Sequence, residues 1–106
     1  LLAPHSYELL LPAAHRQEEV VMAGIRAVKA GRLREARALL QPAAADLTAA
    51  GARAVILGCT EIPLGLGELD WRQEILLVDA TEALAETCIK CSLPESRLPG
   101  ALAEAV

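Results

Sequence analysis

The segment AVILGCTEIPLGLG, Ala54 to Gly67, sets a thiol, a hydroxyl and a carboxylate side by side. Cys59, Thr60 and Glu61 follow an apolar run and a glycine. An unperturbed thiol has a pKa of about 8.5, near enough to neutrality for both of its forms to be populated. Pro63 suits the first turn of a helix after the loop, and a helix N-terminus favours a thiolate. Thr60 offers a hydroxyl able to hold a carboxylate or an amine. A bare carboxylate beside a thiolate opposes its ionisation, so Glu61 must pair with a cation or act as a proton partner. The bland alternative is that Cys59 is a small apolar residue finishing a strand.

The elements that must position this loop read as an α/β fold. Glu8 to Pro12, ELLLP, reads as a short buried strand ended by proline. AAHRQ follows as a loop. Glu18 to Ala30 has helical periodicity, with Val21, Ile25 and Val28 on one face, and Gly31 stops it. Leu33 to Ala50 is a second helix with a stripe of Ala36, Leu40, Ala43 and Leu47. Pro42 lies inside it at a cost of about 3 kcal/mol. The stripe keeps its phase across the proline, so the helix is expected to kink rather than break, and Gly51 closes it.

Ala54 to Gly58 and Ile75 to Asp79 read as strands, and the first has no polar alternation, so both its faces are expected to be covered. Thr81 looks like the N-cap of a helix running to about Cys91, with Glu82 well placed against the dipole. Residues 1–91 thus form a three-layer α/β/α unit with a small parallel sheet of about three strands. Residues 92–106 read as a C-terminal tail, mobile or docked elsewhere. In such sheets, sites form beyond the carboxyl ends of the strands, which is where Cys59 falls.

Composition narrows the function classes. At 106 residues the chain holds one small domain. It is 54% apolar, mostly Ala and Leu, with one Trp, one Tyr and no Phe, so its core rests on many modest contacts. The net charge of −4 offers no basic patch for a phosphate backbone. The five cations between Arg26 and Arg37 are spaced along helical sequence and read as a solvated face. No apolar stretch reaches the roughly 20 residues needed to span a bilayer, and LLAPHSYELLL lacks the basic start of a signal peptide. The missing initiator methionine suggests a piece of a longer protein. Three cysteines are an odd number, which argues against a disulfide framework and for a reducing cytoplasm.

Cys88 and Cys91 form a C-x-x-C, but they close a helix, where the dipole disfavours a thiolate. With Leu84 they share a helical stripe, so burial is expected to account for them. No second ligand pair follows, so no metal site is expected. His5 and His15 read as solvated loop residues, and GLG at Gly65 to Gly67 is too short for a phosphate loop.

The string GCTEIPL resembles the second active-site segment of the aspartate/glutamate racemase family, which includes hydantoin racemases. The likeness extends outward. AGARAVILGCTEIPL is similar to that family's helix end, strand and cysteine loop. ILLVDATEALAE resembles its next strand and closing helix, and RQEEVVMAGIRAVKAGRL the helix and lysine-glycine turn before them. Tyr7 to Cys91 are covered in all. The resemblance implies racemisation of an amino acid without cofactor or metal, by two cysteines on opposite faces of the substrate. One thiolate removes the Cα proton and the other thiol returns one from the far side. Cys59 matches the second of these. Thr60 would help hold the α-carboxylate. Glu61 stands where glutamate-specific relatives tend to have histidine, which points to the aspartate branch. Lys29 matches a lysine that grips the acidic end of the substrate. From the residues alone, Lys29 reads equally as a solvated lysine balancing a helix dipole.

The family's first cysteine lies in a Cys-Asn-Thr segment of a separate domain, and no such segment is present in this sequence. The expected partners are therefore a small amino-acid or dicarboxylate substrate, a missing N-terminal domain, and a second copy of the chain. By resemblance a further strand belongs between ELLLP and AVILG, so these residues alone are expected to fold marginally and not to racemise. Two alternatives stay open: a lone-cysteine decarboxylase or cis–trans isomerase of small diacids, and a non-catalytic fragment.

Overall fold

A computed structural model describes residues 6–67 and 75–94. The tail expected from residue 92 falls outside these from residue 95 on, as does His5. The order of elements is α1 (Ala14–Arg16), a π-helical turn (Gln17–Val21), α2 (Met22–Lys29), α3 (Leu33–Ala49), β1 (Ala54–Leu57), α4 (Ile62–Leu66), β2 (Leu76–Asp79) and α5 (Ala80–Ser92). Helices and a small parallel sheet are thus mixed along the chain, as the alternation of patterns predicts.

Helical structure begins earlier than the expected Glu18. AAHRQ is the start of the helix rather than a loop, and Gln17 N–H donates to Ala13 C=O at 2.9 Å. None of its residues breaks a helix. Both glycine stops close as expected. Gly31 and Gly51 take φ of 77° and 105°, and Arg32 N–H and Ala52 N–H reach back to Ala27 and Leu47 carbonyls at 2.8 and 3.0 Å. These are Schellman closures, which only glycine makes without strain. Helix α3 runs unbroken through Pro42. Pro42 and Ala38, whose carbonyl loses its N–H partner, are both exposed, so water can take that bond.

The core is made of small pieces. Ala27, Ala36, Leu40, Ala44, Val55, Leu57, Leu66 and Ile75 are buried together, with Val28, Leu47 and Ile62 against them. Leu40 sits in a slot between two glycines. A methyl group on Gly24 would lie 2.6 Å from Leu40 Cγ, and one on Gly65 would lie 2.5 Å from Leu40 Cδ1 and 2.9 Å from Val28 Cγ2. Helices α2, α3 and α4 approach closely because these positions carry no side chain.

β1 and β2 pair in parallel, from Ala54 opposite Leu76 to Leu57 opposite Asp79. Three expectations need correction here. ELLLP forms no strand: Tyr7, Leu9 and Leu11 are exposed and Glu8 to Pro12 are irregular. A strand needs a neighbour for its N–H and C=O groups, and the described residues offer this segment none. The sheet therefore has two strands among the described residues, not about three. β1 is not covered on both faces, since Val55 and Leu57 are buried while Ile56 is 54% exposed.

The cap of α5 is Asp79, not Thr81. Its Oδ1 accepts from Thr81 N–H at 2.9 Å and Glu82 N–H at 3.2 Å. Helix α5 buries no residue, so its stability leans on this cap. Asp79→Ala is expected to cost about 1 kcal/mol and to fray α5, read as lost ellipticity at 222 nm.

Candidate active site

β1 ends at Leu57, and Gly58 leads straight into the loop that carries Cys59, Thr60 and Glu61. Ile62 N–H closes the turn on Cys59 C=O at 3.2 Å, and α4 begins, with Pro63 in its first turn. Helix α4 has five residues, so its dipole is slight. Its far end is fixed by α3. Gln41 Nε2 donates to Leu66 C=O at 2.9 Å. The Arg37 guanidinium lies against Gly67, whose φ of 62° and missing Cβ both suit glycine. The same glycine slot that seats Leu40 brings the C-terminal end of α2, with Lys29, toward this loop.

The four residues singled out from the sequence come together. Cys59 Sγ donates to Glu61 Oε2 at 2.8 Å. Thr60 Oγ1 donates to the same oxygen at 2.9 Å. Lys29 Nζ stands 3.9 Å from Glu61 Oε1, with 64% of its side chain exposed against 23% for Glu61. Glu61 thus does both things its position demands: it faces a cation, and it accepts the proton side of the thiol. Cys59 is half-buried among polar partners rather than sealed in the aliphatic core.

The Cys59 hydrogen bond holds the Glu61 carboxyl below its ordinary 4.5, and the Thr60 hydroxyl, the residue's own N–H and the Lys29 charge act the same way against a small opposing effect of burial. A carboxyl lowered on folding stabilises the fold above its unfolded pKa, and that contribution is lost as pH falls through the folded value. The Glu61 carboxyl is therefore expected to titrate below 4.5, with the loop loosening under that pH. A carbon-detected NMR titration checks this, and Glu61→Gln removes the step.

A cleft of about 370 Å³ runs along β2 and past α4, lined by Leu57, Pro63, Leu66, Ile75, Leu76, Leu77, Asp79 and Glu82. Cys59 is outside that lining. Cys88 and Cys91 are exposed on α5, so the expected burial is corrected. Their shared stripe marks a face, and nothing described lies over it. His15 is exposed on α1 rather than in a loop. Among the described residues no group of three or more His, Cys, Asp or Glu could hold a metal ion, and no helix is long and apolar enough to cross a membrane. The feature that sequence reasoning missed is the sharing of one Glu61 oxygen by two donors. The adjacency of Cys59, Thr60 and Glu61 was its only signal.

Residues 1–88 match the Asp/Glu/Hydantoin racemase family. A relative named "Uncharacterized protein in pnlA 3'region", from Pectobacterium carotovorum subsp. carotovorum, is 40% identical over 70 residues, which make up 66% of this chain and 47% of the relative. The chain thus spans about half the length of that curated relative. No solved structure matches significantly. The family match takes in both strands, the cysteine loop and Lys29, and on that breadth the chain belongs to the Asp/Glu/hydantoin racemase family.

Proposed function

We propose that this chain is the second half of a cofactor-independent racemase acting on an acidic amino acid, aspartate first, in the cytoplasm. Residues 1–91 are the part that carries the site. A thiol on another segment faces Cys59 across the substrate. That thiol's conjugate base takes the Cα proton, and Cys59 returns one from the opposite face. In the reverse direction the roles exchange. The pair is needed because a single fixed base can only put the proton back where it came from. Thr60 holds the α-carboxylate and Lys29 the side-chain carboxylate. Glu61 carries the charge that balances Lys29 and accepts the Cys59 proton's hydrogen bond between turnovers.

The observation that supports this best is the Cys59–Glu61 hydrogen bond at a strand's carboxyl end, within a chain of a racemase family. It sets the thiol beside a carboxylate acceptor. By itself the 106-residue chain has half of the site and does not racemise. Chiral chromatography of L-aspartate incubated with this chain, and with a longer protein in which a first cysteine precedes it, tests the reading. Racemisation by the longer protein alone is expected. Conversion of maleate or substituted malonates with no amino-acid racemisation would contradict it, as would racemisation by the isolated chain.

A further inference from the structure

Two donors at the loop converge on a single acceptor. Cys59 Sγ and Thr60 Oγ1 reach Glu61 Oε2 at 2.8 and 2.9 Å, while Lys29 Nζ faces Oε1 at 3.9 Å. Thr60 and Lys29 are also the groups given above to the substrate's two carboxylates. A carboxylate of the chain itself therefore lies where a ligand's carboxylate would need to bind. The ionic part of the hold on it is light. Lys29 is mostly exposed and the ion pair is long, and such exposed pairs add little. Glu61 keeps contact with solvent over 23% of its side chain. An incoming anion can replace what Thr60 and Lys29 would lose, whereas a neutral molecule cannot.

We propose that Glu61 is a specificity-determining positioning residue: its carboxylate is an internal stand-in for a substrate carboxylate, and an anionic ligand gains Cys59 by displacing it from Thr60 and Lys29. The inference rests on the racemase reading for its ligand class. Displacement also takes the acceptor away from the Cys59 proton at the moment the ligand arrives. The thiol is thereby released for transfer only when a carboxylate has entered. Dicarboxylates are favoured over monocarboxylates because they supply an anion to Lys29 as well as to Thr60.

The test needs no turnover, so its failure and that of the racemase reading are separable. In the 106-residue chain, Cys88→Ser and Cys91→Ser leave Cys59 as the sole thiol of three. Its alkylation by anionic iodoacetate and by neutral iodoacetamide is followed by mass spectrometry. Glu61→Gln is expected to raise the iodoacetate-to-iodoacetamide rate ratio by about tenfold or more, since the vacated cation and hydroxyl now receive the reagent's carboxylate. The iodoacetate rate then saturates with concentration, and malonate protects against it. Adding Lys29→Gln abolishes both saturation and protection. Glu61→Asp keeps the charge but withdraws the carboxylate from Cys59, and is expected to raise the ratio to a smaller extent, which covers a Glu61→Gln chain that fails to fold. A ratio that rises without saturation, or regardless of Lys29, reflects only the removed charge and overturns the proposal. An unchanged ratio in both Glu61 variants overturns it too.

Discussion

Replacing Cys59 with serine is expected to lower racemisation by about 10²–10⁴-fold, the usual worth of a positioned acid–base group, in a protein that contains both cysteines. The substitution separates chemistry from structure. A serine hydroxyl is close to a thiol in size and can donate to Glu61 in the same way. It does not ionise near neutral pH, so the return half of the reaction loses its thiolate. Cys59 is half-buried and its contacts are polar. Folding stability should therefore change by no more than about 0.5 kcal/mol, as for surface positions. Polarimetry gives the rate, and a thermal melt of the same sample checks the fold. An equal loss in both readouts would make Cys59 a structural residue.

The second large effect is in the core. Leu40 is 3% exposed and seated between Gly24 and Gly65. Leu40→Ala is expected to cost 2–5 kcal/mol (about 3 for a site that collapses partly). Stability margins of domains are about 5–15 kcal/mol, so this single change removes a large share of the margin and should shift the urea midpoint sharply downward. The reverse error is overpacking. Gly65→Ala sets a methyl 2.5 Å from Leu40 Cδ1 and 2.9 Å from Val28 Cγ2. Overpacking costs about 1–3 kcal/mol, more than the fraction of a kcal/mol that alanine gains over glycine as a helix former in this short helix. The two changes should couple. With Leu40 cut to alanine, the Gly65 methyl loses its closest clash and keeps only the one with Val28 Cγ2, and the double variant should be more stable than the sum of the singles by about 1 kcal/mol. Urea denaturation of the four chains measures the cycle. Strict additivity would mean that the Leu40 slot does not set the spacing of α3 and α4.

What was legible in the sequence is what local chemistry decides. The apolar runs AVIL and LLVD, the stops at Gly31 and Gly51, and the buried stripe of α3 follow from period, turn geometry and the missing Cβ. The loop residues Cys59 to Glu61 were legible because they are adjacent and follow a strand. What failed depends on neighbours that periodicity cannot see. ELLLP has strand composition, yet without a partner it stays exposed. The stripe of Leu84, Cys88 and Cys91 is real, yet nothing described covers it. Thr81 and Asp79 both carry cap-forming oxygens two positions apart. The choice fell to Asp79 because its side chain reaches two free N–H groups at once. Lys29 as a site residue came from family resemblance rather than spacing, and its place opposite Glu61 was not legible, since only the packing of α2 against α4 brings the two together.

The central claim is that Cys59 exchanges a proton with the substrate's Cα from one face. The most direct measurement is deuterium wash-in at Cα from D₂O, followed by proton NMR separately for L- and D-aspartate, in a protein carrying both cysteines and in its Cys59→Ser variant. The variant is expected still to exchange one enantiomer, with retained configuration through the remaining cysteine, and to stop exchanging the other. Wash-in into both enantiomers at unchanged rates in the variant would contradict it.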